Sequence, residues 1–479
     1  MRAMLEDHRK CQDQGLQNYH EVLKVLKGAD EKLYEFVART LPHKHWHRMV
    51  YALQFQNPEL YDKLHELIDS MRKGKRVAKA RPEKNILEYA WDLAQEIGQS
   101  YKCEEGVVEE VRPKRTVTVF LKFPERIIGL PKDVMAMSHN LAKDYGGRRK
   151  WTFGFDNRMF VTDLEDTAIE ELRKSPLVER VEVDSEAHIL SNEIPAYNPS
   201  GVNTDWGVTR INPGFAWAQG NYGKSMSGRR MKVCVIDTGI KSSHEAFWKG
   251  GVCVFKGGYN FVGGNPNPED DHDHGTYCCS IVAAQHNAIV GSYRGVAPDI
   301  DLYACKVLDS KGSGSMANIA AAIDWARTYG MDIISMSLGG PSGGTSLQQA
   351  CDSAWYAGLL VVAAAGNSGP GENTVLYPAK YASVMAVAAM DYFEGIADFS
   401  SRGPETEVSA PGRYIAGAWA GFTFTNYKIA GSNDKYMCAS GTSAACPHVA
   451  AGAALLKAWY PSMTNTEMRQ WIREHCRDL

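Results

Sequence analysis

The sequence lacks any apolar run long enough to cross a bilayer. Its longest clean stretch, Leu359 to Ala365, falls far short of the ~18 residues a spanning helix needs. It lacks an apolar segment at its start: Met1-Arg-Ala-Met-Leu-Glu-Asp-His-Arg-Lys10 is charged and reads as no secretory signal. It lacks regular cysteine spacing. The 11 cysteines are an odd number, and Cys234, Cys305 and the pair Cys278-Cys279 sit inside apolar runs, as buried thiols do. Together these absences lead us to expect a reducing, cytoplasmic location; a different true start would make the protein secreted or vacuolar. Charge of one sign is also missing. Lys+Arg total 53 against 56 Asp+Glu, split 32 and 32 over residues 1–190 and 21 and 24 over 191–479. No stretch of that size is basic, so we expect neither a nucleic-acid nor a membrane partner.

What is present is ordinary for globular chains: 44% hydrophobic and 23% charged residues, which excludes disorder, collagen and coiled coil as the main state. At roughly 150 residues per domain, 479 residues suggest about three. Residues 1–105 read as a helical bundle. Leu16, Tyr19, Val22, Leu23 and Leu26 share one face, as do Leu60, Leu64, Leu67, Ile68 and Met71, with Pro42, Pro58 and Pro82 as punctuation. Inside it, His43, His45 and His47 alternate without a further ligand at metal spacing, so they read as a solvated loop or helix start. Arg72 to Arg81 carries six basic residues and reads as a solvated linker in preference to a localisation or cleavage signal.

Residues 115–190 change character. The order strand, helix, strand, helix, strand, from Arg115-Thr-Val-Thr-Val-Phe-Leu to Leu177-Val-Glu-Arg-Val-Glu-Val-Asp184, suggests a small α+β sandwich. From residue 205 to 479 the pattern is α/β. Near-continuous apolar strands are expected at 231–237, 302–307, 333–338, 359–365 and 384–389, with helices between them, which implies a parallel sheet flanked by helices. In such sheets ligands bind beyond the C-terminal strand ends.

Three polar residues stand at element ends. Asp237 closes Val-Cys-Val-Ile-Asp and precedes Thr238-Gly239. His274 comes just before a helix in Asp-His-Asp-His-Gly-Thr. Ser443 lies in Gly-Thr-Ser-Ala-Ala-Cys-Pro-His-Val449, where free N–H groups and the positive dipole end favour it, and Pro447 is read within or near the first turn. Each alone is weak. The order Asp, His, Ser on an α/β pattern is specific, and it is the order found in subtilisin.

Residues 205–479 resemble the subtilisin-family serine proteases, the subtilases. The resemblance is carried by Trp206-Gly-Val-Thr-Arg-Ile211, Val235-Ile-Asp-Thr-Gly239, His274-Gly-Thr276, Gly295-Val-Ala-Pro298, Tyr303-Ala-Cys-Lys-Val-Leu-Asp309, Ser337-Leu-Gly-Gly340, Ala363-Ala-Ala-Gly-Asn367, Tyr377-Pro378, Phe399-Ser-Ser-Arg-Gly-Pro404 and Gly441-Thr-Ser443 with Pro447-His448. Cys278, four after His274, resembles the proteinase K and kexin branches, where it is a buried neighbour of the histidine. The resemblance implies a serine endopeptidase acting through an acyl-enzyme: Ser443 as nucleophile, His274 as base and then acid, Asp237 orienting the imidazole, and Asn367 with the Ser443 N–H as oxyanion hole. It implies that Ser337, Leu338 and Gly339 pair with substrate as an added strand, and that Ala365, Gly366 and Leu376 line the primary pocket, where Leu376 in place of a small residue makes it shallow. The region 115–190 resembles the inhibitory propeptide of a zymogen, with a tail, Val181 to Leu190, that lies in the cleft and is cut after Leu190.

Departures from the family pattern matter as well. Tyr277 stands where His or Arg is usual. Ala246 stands where a calcium aspartate often sits. Asp391 would serve at most a weak structural calcium site, and a loop salt bridge is the preferred reading, so no metal and no required cofactor are expected. Cys446, Cys279, Cys438 and His448 read as buried packing, one of the thiols lying close enough to the site to confer sensitivity to thiol reagents. The expected partners are protein or peptide substrates and the chain's own propeptide. The alternative is a catalytically silent or regulated peptide-binding protein whose N-terminal bundle is an assembly module.

Overall fold

The computed structural model describes residues 114–122, 131–156, 158–190, 206–285, 293–422 and 435–476. The bundle expected in residues 1–105, with its histidines and basic run, lies outside the described residues. The small α+β unit comprises β1 (Arg115–Leu121), α1 (Pro131–Asp144), β2 (Arg149–Thr152), β3 (Met159–Leu164), α2 (Asp166–Leu172) and β4 (Val178–Val183). Its antiparallel sheet runs β2-β3-β1-β4. That is one strand more than the sequence pattern indicates. β2, Arg-Lys-Trp-Thr, has three partly exposed positions and one exposed position and no apolar alternation to announce it. Period-two alternation decides how the sheet is covered. Val117, Val119 and Leu121 share an apolar cluster with Phe160 of β3 and with Leu141 and Ile169 of the unit's own helices, whereas Phe120 turns to the opposite face and joins the core of the larger part. A further strand, β5 (Glu186–Ile189), follows at once.

The larger part begins with α3 (Trp206–Ile211) and α4 (Gly214–Ala218), then β6 (Lys232–Asp237), a two-strand ribbon β7 (Trp248–Lys249) and β8 (Val252–Cys253), β9 (Phe255–Asn260) and α5 (His274–Ala283). There follow β10 (Asp301–Lys306), β11 (Ser313–Ser315), α6 (Met316–Thr328), β12 (Ile333–Met336), β13 (Leu338–Gly339), α7 (Thr345–Tyr356), β14 (Leu360–Ala364), β15 (Met385–Met390) and β16 (Thr406–Pro411). The chain ends on β17 (Ile415–Ala418), β18 (Tyr436–Ala439), α8 (Thr442–Trp459) and α9 (Asn465–His475). Seven strands form a parallel sheet in the order β16-β15-β14-β12-β6-β10-β9.

Both faces of this sheet are covered. Along β6, Val233 and Val235 join one apolar cluster with residues of α5 and α8; Cys234 and Ile236 join the other with residues of α6 and α7. Burial on both faces is why the central strands are apolar throughout, and each fully buried Val or Ile contributes ~1.5–3 kcal/mol. The two strands not foreseen, β9 (Phe-Lys-Gly-Gly-Tyr-Asn) and β16 (Thr-Glu-Val-Ser-Ala-Pro), are the sheet's two edges, where one side needs no apolar residue. From β6 the chain crosses to β9 and β10 on one side, then to β12 on the other. The order reverses at β6, and Asp237 is its last residue.

Candidate active site

Asp237 and His274 meet at the C-terminal end of the sheet. His274 Nδ1 lies 2.8 Å from Asp237 Oδ1, and both side chains are fully buried. The same oxygen accepts the Thr238 N–H at 2.7 Å. Gly275 lets the two segments touch: a methyl group there would lie 2.2 Å from the Gly239 carbonyl oxygen. Behind them sits a carboxylate that the motifs did not reveal. Asp270, fully buried, accepts Thr238 Oγ1 at 2.8 Å, Thr276 Oγ1 at 2.5 Å and three backbone N–H groups. Burial alone would raise its pKa, but these donors, Thr276 first among them, outweigh burial and lower it. Lys306 Nζ ties β10 to the same loop through the Thr238 carbonyl, 2.8 Å, and Asp271, 2.6 Å.

Ser443 is the second residue of α8. Pro447, read from the sequence as within or near the first turn, lies inside the helix, just past that turn. Having no N–H, it leaves the Ser443 carbonyl without its helical donor. Ser337 Oγ supplies that bond at 2.9 Å, and Cys278 Sγ lies 3.6 Å from the same oxygen and 3.9 Å from His274 Nδ1. The serine turn is thus fixed to β12–β13 and to the histidine helix. Asn367 follows β14. Its Oδ1 accepts both the N–H and the hydroxyl of Thr442 at 2.9 Å, which leaves Nδ2 to donate to the Leu190 carbonyl at 2.5 Å. A methyl group at Gly441 would lie 2.5 Å from that carbonyl oxygen, 2.8 Å from Ser443 Oγ and 3.3 Å from Asn367 Nδ2, so the three converge on one point.

β5 occupies the groove leading to this point. It lies between β11 and β13 as the middle of three antiparallel strands: Ser313 and Gly339 both face His188, and Leu338 faces Ile189. The Ile189 N–H donates to the Gly312 carbonyl at 3.0 Å and the Leu190 N–H to the Ser337 carbonyl at 3.4 Å. The Leu190 side chain is buried against Gly339, where Leu376 also packs. Ala365 accepts the Leu376 N–H at 2.9 Å, and Gly366, at φ +119°, has no room for a side chain beside Leu376. All six residues expected to line the groove therefore lie along β5 and Leu190 or in the wall behind them. Two acidic side chains just upstream cap helices of the larger part: Asp184 Oδ1 accepts the Ala317 N–H at 2.9 Å in α6, and Glu182 Oε2 the Ser346 N–H at 3.3 Å in α7.

The remaining expectations are structural. Tyr277 is buried and its hydroxyl donates to the Ile415 carbonyl at 3.0 Å. His448 Nδ1 donates to the Ala444 carbonyl at 2.7 Å, and burial lowers its pKa to about 4, so the ring is neutral. Burial raises the pKa of Cys278 and Cys279 well above the ordinary thiol value, that of Cys446 to about 11 and that of Cys438 to about 12. At the calcium positions the residues do not fit a cation. Ala246 offers no carboxylate and its carbonyl accepts the Gln285 N–H. Asp391 Oδ1 is taken by the Phe393 and Gly395 N–H groups in a turn, and the nearby ion pair is Arg210 with Glu394.

A buried carboxylate–imidazole pair, a helix-start serine and an amide donor beyond the ends of a parallel sheet define the class of α/β serine hydrolases. Residues 228–478 match the Subtilase family. Subtilisin E of Bacillus subtilis (strain 168) is 39% identical over 350 residues, 72% of this chain and 82% of its own length. Subtilisin DY of Bacillus licheniformis is 42% identical over 276 residues, 57% of this chain and 92% of its own. A thermostable alkaline protease of Halalkalibacterium halodurans is 39% identical over 312 residues, 65% and 76% of the two chains. The chain belongs to the subtilase family and is a serine-type endopeptidase. The fold expected from its sequence, a parallel sheet flanked by helices, is borne out.

Proposed function

We propose that this endopeptidase works as a self-processing zymogen with Ser443, His274, Asp237 and Asn367 as its catalytic residues. Ser443 Oγ attacks the scissile carbonyl. His274 Nε2, which has no hydrogen-bond partner among the described residues, takes the hydroxyl proton and returns it to the leaving amine. Asp237 holds Nδ1 and the imidazolium that forms. Asn367 Nδ2, with the Ser443 N–H, stabilises the oxyanion. Ser337, Leu338 and Gly339 bind the backbone, and Ala365, Gly366 and Leu376 bound the primary pocket.

The observation that carries the processing reading is the Leu190 carbonyl: it accepts the Asn367 amide while β5 fills the groove, the pose of a substrate about to be cut. The 350-residue match to subtilisin E is longer than residues 228–478, so the likeness reaches back toward the small unit. We therefore take 115–190 as an inhibitory propeptide cut after Leu190, 205–479 as the catalytic domain, and 1–105 as a separate helical module that binds another protein. A reducing, cytoplasmic site of action accords with the nine described cysteines, all free thiols. A fluorophosphonate probe tests the nucleophile: it is expected to label processed protein at Ser443 and to fail with His274→Ala. Labelling elsewhere, or equal labelling of both proteins, would refute the assignment.

A further inference from the structure

We propose that the aromatic arm Trp151–Phe155 is a second anchor of the propeptide, distinct from the tail in the groove, and that the surface formed by Tyr259, Phe261 and Asp324 exists to hold it after the Leu190 bond is cut. This rests on the reading of residues 115–190 as a propeptide cleaved after Leu190. Trp151, Phe153 and Phe155 alternate in sequence from the end of β2 into the connection to β3. The Trp151 ring meets Phe261 edge-on at 5.3 Å and lies 6.3 Å from Tyr259; these two belong to the β9 edge and its continuation. Phe153 is fully buried in one apolar cluster with Ala317, Ala320 and Ala321 of α6.

The polar half of the contact is more telling. Asp324 of α6 is 1% exposed. Its Oδ1 pairs with Arg327 of its own helix at 2.9 Å. Its Oδ2 accepts two bonds, from Trp151 Nε1 at 3.3 Å and from the Gly154 N–H at 2.7 Å, both of them from the arm. The helix thus presents a buried carboxylate oxygen whose donors belong to the propeptide. Any side chain at residue 154 would come within 3.0 Å of Arg327 Nη2, so the arm's backbone lies close on the helix. Asp324 lies seven residues along α6 from Ala317, ~10 Å by helix rise, so this carboxylate is separate from the helix cap that Asp184 supplies. A central tryptophan with a satisfied N–H and a desolvated acidic partner is the composition of an affinity hot spot.

Two backgrounds test the anchor. In the full-length Ser443→Ala chain, amide hydrogen exchange is followed in residues 149–155 and 186–189. Asp324→Ala is expected to speed exchange in the arm at least ~10-fold while the tail stays as protected as in the parent. Equal arm exchange in parent and variant would overturn the proposal. In the active full-length chain, intact masses report the Leu190 cut and size exclusion reports whether the released piece stays with the catalytic fragment. Trp151→Ala is expected to be cut normally and to bind its released piece ~10- to 100-fold more weakly, with Trp151→Phe, which keeps a ring and loses the N–H, in between. Undiminished retention would also overturn it. Should Trp151→Ala fold poorly, Asp324→Ala poses the same question from the other side. An uncut wild type would remove the processing reading and leave hydrogen exchange to decide the anchor.

Discussion

Asn367 shows how a single side chain is given one job by its neighbours. Thr442 occupies its oxygen twice, so only the NH₂ end can face the Leu190 carbonyl. Asn367→Ala should lower kcat by ~10²–10³ with little change in KM, the range known for the oxyanion asparagine of a subtilisin; peptide hydrolysis kinetics check this. Leu376 packs where the Leu190 side chain lies, and its removal should deepen that pocket. Leu376→Gly is expected to raise cleavage after Phe or Tyr relative to Ala or Leu, read as a ratio of kcat/KM values. At this scale the sequence was informative where chemistry is written in short motifs: Asp237, His274, Asn367 and Ser443 each sit in one. Asp270 and Lys306 were not legible. Asp270 matters because a loop returns it to Thr238, 32 positions away, and Lys306 because its strand ends beside the same turn. No spacing rule encodes such ties.

Elements explain what residues cannot. The five central strands were visible because burial on both faces demands apolar residues throughout; the edge strands β9 and β16 and the short β2 are under no such demand and carry no pattern that marks them as strands. Pro447 is tolerated inside α8 because its cost in a helix depends on whether the freed carbonyl finds another donor, and here Ser337 provides one. The helix caps lent by the small unit carry a pH dependence. Asp184 faces the Ala317 and Ser185 N–H groups and the Ser315 hydroxyl, with Lys150 further off; burial, the largest influence, raises its pKa to about 6 in spite of them. Glu182 shifts the same way. A group whose pKa is raised on docking takes up a proton there, so docking is strongest below about 4 and weakens as pH rises through about 6. Release of the propeptide from the processed protein should quicken over that window and level off above it, and Asp184→Asn should flatten the profile. Dissociation rates measured across pH 4–8 check this.

For the molecule as a whole, the same strand is both a part of the fold and a ligand of the site. β5 completes a sheet with β11 and β13, and its end delivers the Leu190 carbonyl to Asn367 beside Ser443. On the proposed zymogen reading, autoinhibition and first substrate are one contact, before and after the bond is cut. The segment Val181 to Leu190 stood out in the sequence as a resemblance, while its pairing did not, because the match of His188 with Ser313 across 125 positions is a property of the folded chain. The most direct measurement is the intact mass of the purified full-length protein beside its Ser443→Ala variant. The account predicts a wild-type fragment that begins at Ser191 and a variant that stays whole; a wild type as whole as the variant would contradict it.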